Sequence, residues 1–118
     1  MTDMTSDEVL LLVEPEGPVL STIQDAIELI GLASSQGASV IVVPKTRLDP
    51  EFFDLKTRIA GEFLQKMLIY GWKFAVIGDF RAEMERSSAF RDFLTECDRG
   101  RDFFFVADRE TLLARLSA

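Results

Sequence analysis

The side chains of this sequence best placed to do chemistry are Asp54, Lys56, Thr57 and Asp79, with Gly61 a nearby point where a second backbone could approach. Lys56 and Thr57 follow a strong helix start, Asp49-Pro50-Glu51: an acidic N-cap, proline at the first helical position, and an acid facing the positive end of the dipole. The helical pattern then runs to Tyr70, with Gly71 as its stop. A helix continuous from Pro50 would point Lys56 into the middle of its apolar face, where an unpaired ammonium is costly. The spacing therefore predicts a break near Leu55 to Thr57 and a main helix beginning there. Its N-terminus would present free backbone N–H groups beside Lys56 and Thr57, an anion site in physical principle. The simpler alternative is that Lys56 snorkels to water and Thr57 caps.

Asp79 and Asp108 each follow an apolar run of strand length. Together with Asp54 they could hold magnesium or work as acid and base, because ligands collect at the carboxyl ends of parallel strands. Each also has a structural role to fill, Asp79 in a turn after Gly78 and Asp108 as a helix cap, and that reading is preferred. No metal site and no cofactor is expected. The chain has no histidine and one cysteine, Cys97, which removes imidazole catalysis, the usual nucleophile pairs, an internal disulfide and most zinc sites. Cys97 lies on an apolar helical face and reads as an inert thiol. Nucleotide-binding glycine patterns and the nucleophile elbow are missing too.

The elements that must position these residues alternate. Val9 to Val13 reads as a buried strand, ended by Glu14-Pro15-Glu16-Gly17-Pro18. Ser21 or Thr22 then caps a helix with Ile23, Ala26, Ile27, Ile30 and Ala33 on its inner face, stopped at Gly37. Val40 to Val43, Phe74 to Ile77 and Phe103 to Val106 are further strands. Ser87 or Ser88 caps a helix carrying Phe90, Phe93, Leu94 and Cys97, ended by Gly100, and Asp108 caps a last helix with Leu112, Leu113 and Leu116 turned inward. Residues 1 to 7 read as a frayed start and residues 81 to 87 as a flexible loop. Strands alternating with helices imply βαβ crossovers, and so an α/β fold with a mainly parallel sheet of four to five strands and about four helices.

At 118 residues the chain is expected to be one domain, residues 1–118. Its composition is that of a globular protein, with no apolar run long enough for a membrane span and no signal-peptide pattern at the start, so a cytoplasmic location and no membrane contact are expected. The net charge of −7 is uneven, since residues 1 to 44 hold seven acids and no Lys or Arg. That distribution offers no basic stripe for nucleic acid, and leaves either a solubilising face or one that attracts a basic partner.

Within residues 54 to 70, the wheel puts Ile59, Ala60, Phe63, Leu64, Met67 and Tyr70 on the core face. Asp54, Arg58, Glu62 and Lys66 form an i,i+4 ladder opposite, read as a solvated face. Gly61 lies on that polar side, where its cost in a helix of about 1 kcal/mol relative to Ala raises the prospect of a close neighbour.

Several segments carry a resemblance: FFDLKT at Phe52 to Thr57, IAGE at Ile59 to Glu62, LQK at Leu64 to Lys66, Tyr70, VIGDF at Val76 to Phe80, RDF at Arg91 to Phe93, and Glu96 with Arg99-Gly100. From about Val9 to Leu116 the chain resembles the bacterial family of domain of unknown function 4180. It departs at Arg58, where that resemblance implies glycine, and at Cys97-Asp98, where it implies a Ser-Asn pair. More distantly, the order of elements is similar to STAS domains of anti-anti-sigma factors, in which an Asp-Ser pair opens the second helix and the serine is phosphorylated. Asp54 matches that aspartate, but Leu55 stands where the serine would be, so the phosphoswitch does not carry over unless Thr57 substitutes. The leading expectation is a non-enzymatic STAS-like regulatory or protein-interaction module, working through a protein partner or as a homodimer, with its surface on Thr57 to Tyr70 and the preceding turn. The alternative is a small-molecule or anion binder, or a small enzyme, centred on Lys56, Thr57 and Asp79.

Overall fold

The computed structural model of the chain describes residues 2–5, as backbone, and residues 8–117. The elements run β1 (Thr2–Thr5), β2 (Glu8–Leu12), α1 (Ile23–Ser35), β3 (Val40–Pro44), α2 (Ile59–Ile69), β4 (Lys73–Ile77), α3 (Arg81–Arg86), α4 (Ser88–Arg99), β5 (Phe103–Val106) and α5 (Arg109–Leu116). Three short 3-10 turns, Lys45–Arg47, Pro50–Phe53 and Leu55–Thr57, fill the connection between β3 and α2. The sheet order follows the chain, β1 to β5, with β2 to β5 mutually parallel and β1 antiparallel to β2. The expected α/β fold with a mainly parallel sheet is what the chain adopts.

Sequential order dictates the layering. Right-handed crossovers that always step in one direction place their helices on one face of the sheet. Leu11, Ile41, Val43, Phe74 and Val76 accordingly pack against Ala26, Leu29 and Ala33 of α1, Ala60, Phe63, Leu64 and Met67 of α2, and Phe90 of α4. The other face, Leu10, Val40, Val42, Ala75, Phe104 and Val106, clusters with Leu112 of α5. Phenylalanine dominates the first core. Phe52 meets Phe53 and Phe63 edge-on at ring separations of 5.3 and 5.8 Å, and Phe90 meets Phe53 at 5.9 Å. Each buried ring contributes about 2–3 kcal/mol through area alone.

Local chemistry sets the boundaries. Thr22 caps α1 in a capping box with Asp25, and Gly37 follows the helix with φ 68°. Asp49 accepts from the Glu51 N–H ahead of Pro50, Ser87 caps α4 and Asp108 caps α5. Four sequence expectations are corrected. Ile23 and Ile27 are exposed, because α1 rests on its smaller residues Ala26 and Ala33 together with Leu29. Tyr70, the residue after α2, is 56% exposed rather than core. Residues 81–86 form a helix instead of a loop, held by tertiary contacts described below. Thr2–Thr5 is a paired edge strand rather than a frayed start, while residues 1, 6 and 7 of that expectation lie outside the described residues.

Candidate functional site

The predicted break in the helix is present, and it organises the surroundings of Asp54, Lys56 and Thr57. Asp54 Oδ1 accepts from the Lys56 N–H at 3.1 Å, and the next turn ends at Arg58, which alone among the described non-glycine residues has positive φ, 65°. An L-residue pays a steric penalty there that glycine avoids. Breaking the helix turns Lys56 outward to solvent. It also cuts the Asp54/Arg58/Glu62/Lys66 ladder, and among the described residues no ion pair joins its members.

Thr57 is turned inward. Its Oγ1 lies 2.8 Å from both the Glu51 and Asp54 carbonyls, to which it donates, and accepts from the Ile59 N–H at 3.3 Å. The hydroxyl thus ties the 3-10 turn to the start of α2, in place of the N-cap bond that Arg58 does not make. Gly61 faces open space, since a Cβ built there would meet nothing within 4 Å. It borders a shallow, mainly apolar depression with Leu55, Arg58, Ala60, Glu62 and Phe93.

These residues do not converge. Asp54 and Lys56 share a cleft of about 450 Å³ with Glu83, Arg86 and Ser87. Asp79 borders a separate cleft of about 730 Å³ beneath α3, floored by Phe80, Leu94 and Phe105. There its carboxylate receives two bonds from Arg81 Nε at 3.0 and 3.1 Å, one from Arg81 Nη2 at 2.7 Å and one from the Arg81 N–H at 3.0 Å. Those bonds hold its pKa down at about 2. Asp108 is likewise held low by the Thr111 N–H that it caps.

Two cations that sequence reasoning did not single out anchor this end of the sheet. Lys45, just past β3, donates to the Asp79 carbonyl at 2.6 Å and to Glu83 Oε1 at 2.8 Å, and its ammonium lies 5.4 Å from the ring centres of both Phe53 and Phe80. This is what fastens α3. Burial is the largest influence on Glu83 and works against its ionisation, but the Lys45 bond, a backbone N–H and the charges of Lys45 and Arg86 together outweigh it and the pKa is lowered. Gly78 makes room, because a Cβ there would sit 2.5 Å from Lys45 Cβ. Arg47 donates to three carbonyls of the loop after β2, those of Glu14 at 2.7 Å, Pro18 at 2.9 Å and Glu16 at 3.2 Å. Gly17, at φ 142°, lets the loop close over the guanidinium.

Cys97 is buried, and desolvation pushes its thiol up to about 11, so it is a thiol rather than a thiolate at neutral pH. Among the described residues no group of three or more acidic or cysteine side chains could hold a metal ion. No helix among them is long and apolar enough to cross a membrane.

The surface of the α1–α2 layer is different in kind. Val19 just ahead of α1, Ile23, Ile27 and Leu32 of α1, and Leu68, Ile69 and Tyr70 at the end of α2 are all exposed, and among the described residues Met84 is the one large exposed hydrophobic that lies elsewhere. The sequence pattern expects Ile23, Ile27 and Tyr70 in the core and assigns Val19, Leu32, Leu68 and Ile69 to no face.

A family profile with the description domain of unknown function (DUF4180) matches residues 5–116. No curated protein and no solved structure matches the chain.

Proposed function

We propose that this chain, which belongs to the DUF4180 family, is a non-enzymatic protein-interaction module of STAS-like type whose contact surface is the outer face of α1 and α2 with the turn that leads into α2. The observation that carries this reading is the concentration of exposed Ile, Leu, Val and Tyr on that one layer, Ile69 being 61% and Tyr70 56% exposed. An exposed glycine at 61 with open space above it allows a partner backbone to approach closely.

Charge indicates the kind of partner. Residues 14 to 44, which include all of α1, carry Glu14, Glu16, Asp25 and Glu28 and no Lys or Arg. The occupant is therefore a protein presenting apolar residues flanked by Lys or Arg. The reactive side chains named above serve the architecture instead: Thr57 and Asp54 build a turn, Asp79 holds Arg81, and Lys45 holds α3.

The test is native mass spectrometry and light scattering of the chain purified from its own host, compared with Ile27→Ser, Ile69→Ser, Gly61→Leu and Lys56→Glu variants. Loss of a co-purifying basic protein, at unchanged melting temperature, supports this surface. Retention of every partner and of the same oligomeric state in all four variants overturns it. A small ligand retained by the wild type and lost in Lys56→Glu supports the alternative of an anion binder at the start of α2.

A further inference from the structure

At the opposite end of the sheet, where the strands begin, the structure gathers cations. Lys73 opens β4, Arg99 closes α4, Gly100 and Arg101 lead into β5, and Arg115 sits in the last turn of α5. They line one cavity of about 220 Å³, with Phe104 and Leu116 as apolar walls and Asp98 as its one acidic lining residue. In a chain of net charge −7, four cations converge on one cavity, with Asp98 in its lining and Glu8 and Glu96 beside Lys73 and Arg99. We propose that this cavity binds a small phosphate-bearing anion.

The neighbouring acids orient these cations rather than exhaust them. Arg115 Nη1 donates to Asp98 Oδ1 at 2.9 Å, and its guanidinium lies 5.5 Å from the centre of the Phe104 ring. Lys73 pairs with Glu8, itself held by the Ser39 hydroxyl at 2.8 Å. Arg99 makes only a long contact, 3.4 Å, with Glu96. A guanidinium has five N–H donors and an ammonium three, so each paired cation keeps donors to offer. Two or three guanidinium forks suit the oxygens of a phosphate, whereas a single carboxylate is satisfied by one. The volume is below the range of about 300–1,000 Å³ typical for drug-sized ligands, which points to inorganic phosphate or a short phosphate monoester. Arg99-Gly100 is one of the segments that carry the family resemblance, and the interaction surface proposed above gives it no role.

Isothermal titration with inorganic phosphate, against chloride of matched ionic strength, tests the site. The expected result is saturable binding with a Kd of about 1 mM or tighter. The Arg99→Gln/Arg101→Gln double variant should weaken it by about tenfold or more at unchanged melting temperature. Arg115→Lys, which keeps the charge and loses the fork, should weaken it by a smaller factor. Glycerol 3-phosphate binding more tightly than phosphate would support the site with a monoester as its ligand, and the reverse order would support it with the free anion. Absence of saturable binding, or an equal loss in a Lys66→Gln variant remote from the cavity, would overturn the proposal.

Discussion

The two ends of the parallel sheet carry similar residue types and use them in opposite ways. Where the strands end, charged groups are consumed by the fold: Lys45 is gripped by Glu83 and a carbonyl, Arg47 by three carbonyls, Asp79 by Arg81, and Asp108 by the helix it caps. Where the strands begin, Lys73, Arg99, Arg101 and Arg115 line one small cavity, and Lys73, Arg99 and Arg115 keep donors beyond those they give to Glu8, Glu96 and Asp98. A charged side chain at the carboxyl edge of a parallel sheet is therefore not evidence of a site by itself. Its hydrogen-bond ledger decides.

Substitutions at the two ends should separate into folding effects and binding effects. The largest folding loss is expected for Arg47→Ala, about 3 kcal/mol in urea denaturation, because three loop carbonyls lose a charged donor at once. Lys45→Met keeps an apolar stem beside Phe53 and Phe80 but leaves Glu83 with only the longer 3.7 Å contact of Arg86, and should cost about 1–2 kcal/mol at pH 7. Its pH dependence follows from the sign of the Glu83 shift. A lowered pKa gives stability that is present above the ordinary value of 4.5 and is lost as pH falls through the folded value. The gap between wild type and Lys45→Met should then be widest near neutrality and close in acid. Arg58→Gly should move the other way and stabilise by about 0.5–1 kcal/mol, relief of the left-handed strain exceeding glycine's entropic cost. Arg99→Gln and Arg101→Gln, at the other end, should stay within about 0.5 kcal/mol of wild type. A large loss of stability there would erase the contrast between the ends.

Much of this architecture was legible in the residues. The caps at Thr22, Asp49, Ser87 and Asp108, the stops at Gly37 and Gly71, and the four apolar strands all appear near the positions that the sequence pattern predicts. Lys56, too polar for the face it would occupy, located the break before α2, and the glycine implied at position 58 by the family resemblance agrees with the φ of Arg58. What escaped were features set by tertiary contact. Residues 81–86 have no cap from the Phe80 side chain and Met84 as their one large apolar residue, so the apolar pattern does not announce a helix that Lys45, just past the neighbouring strand, fastens through Glu83. On α1 and α2, a wheel with apolar residues on more than one flank cannot say which flank meets the sheet, and Ile23, Ile27 and Tyr70 fell on the exposed side. The basic cavity is drawn from position 73, the stretch 98–101 and position 115, three places far apart in the chain whose convergence no sequence spacing reveals.

The contrast between the ends can be read in a single titration. Amide chemical shifts of the isotope-labelled chain, followed as inorganic phosphate replaces chloride at constant ionic strength, report on both ends together. Saturable shifts are expected at Lys73, Arg99 to Arg101, Phe104 and Arg115 alone, with Lys56 to Gly61 and Asp79 unmoved. Saturable shifts at Lys56, Thr57 and Gly61 with the amino-terminal edge silent would contradict that expectation.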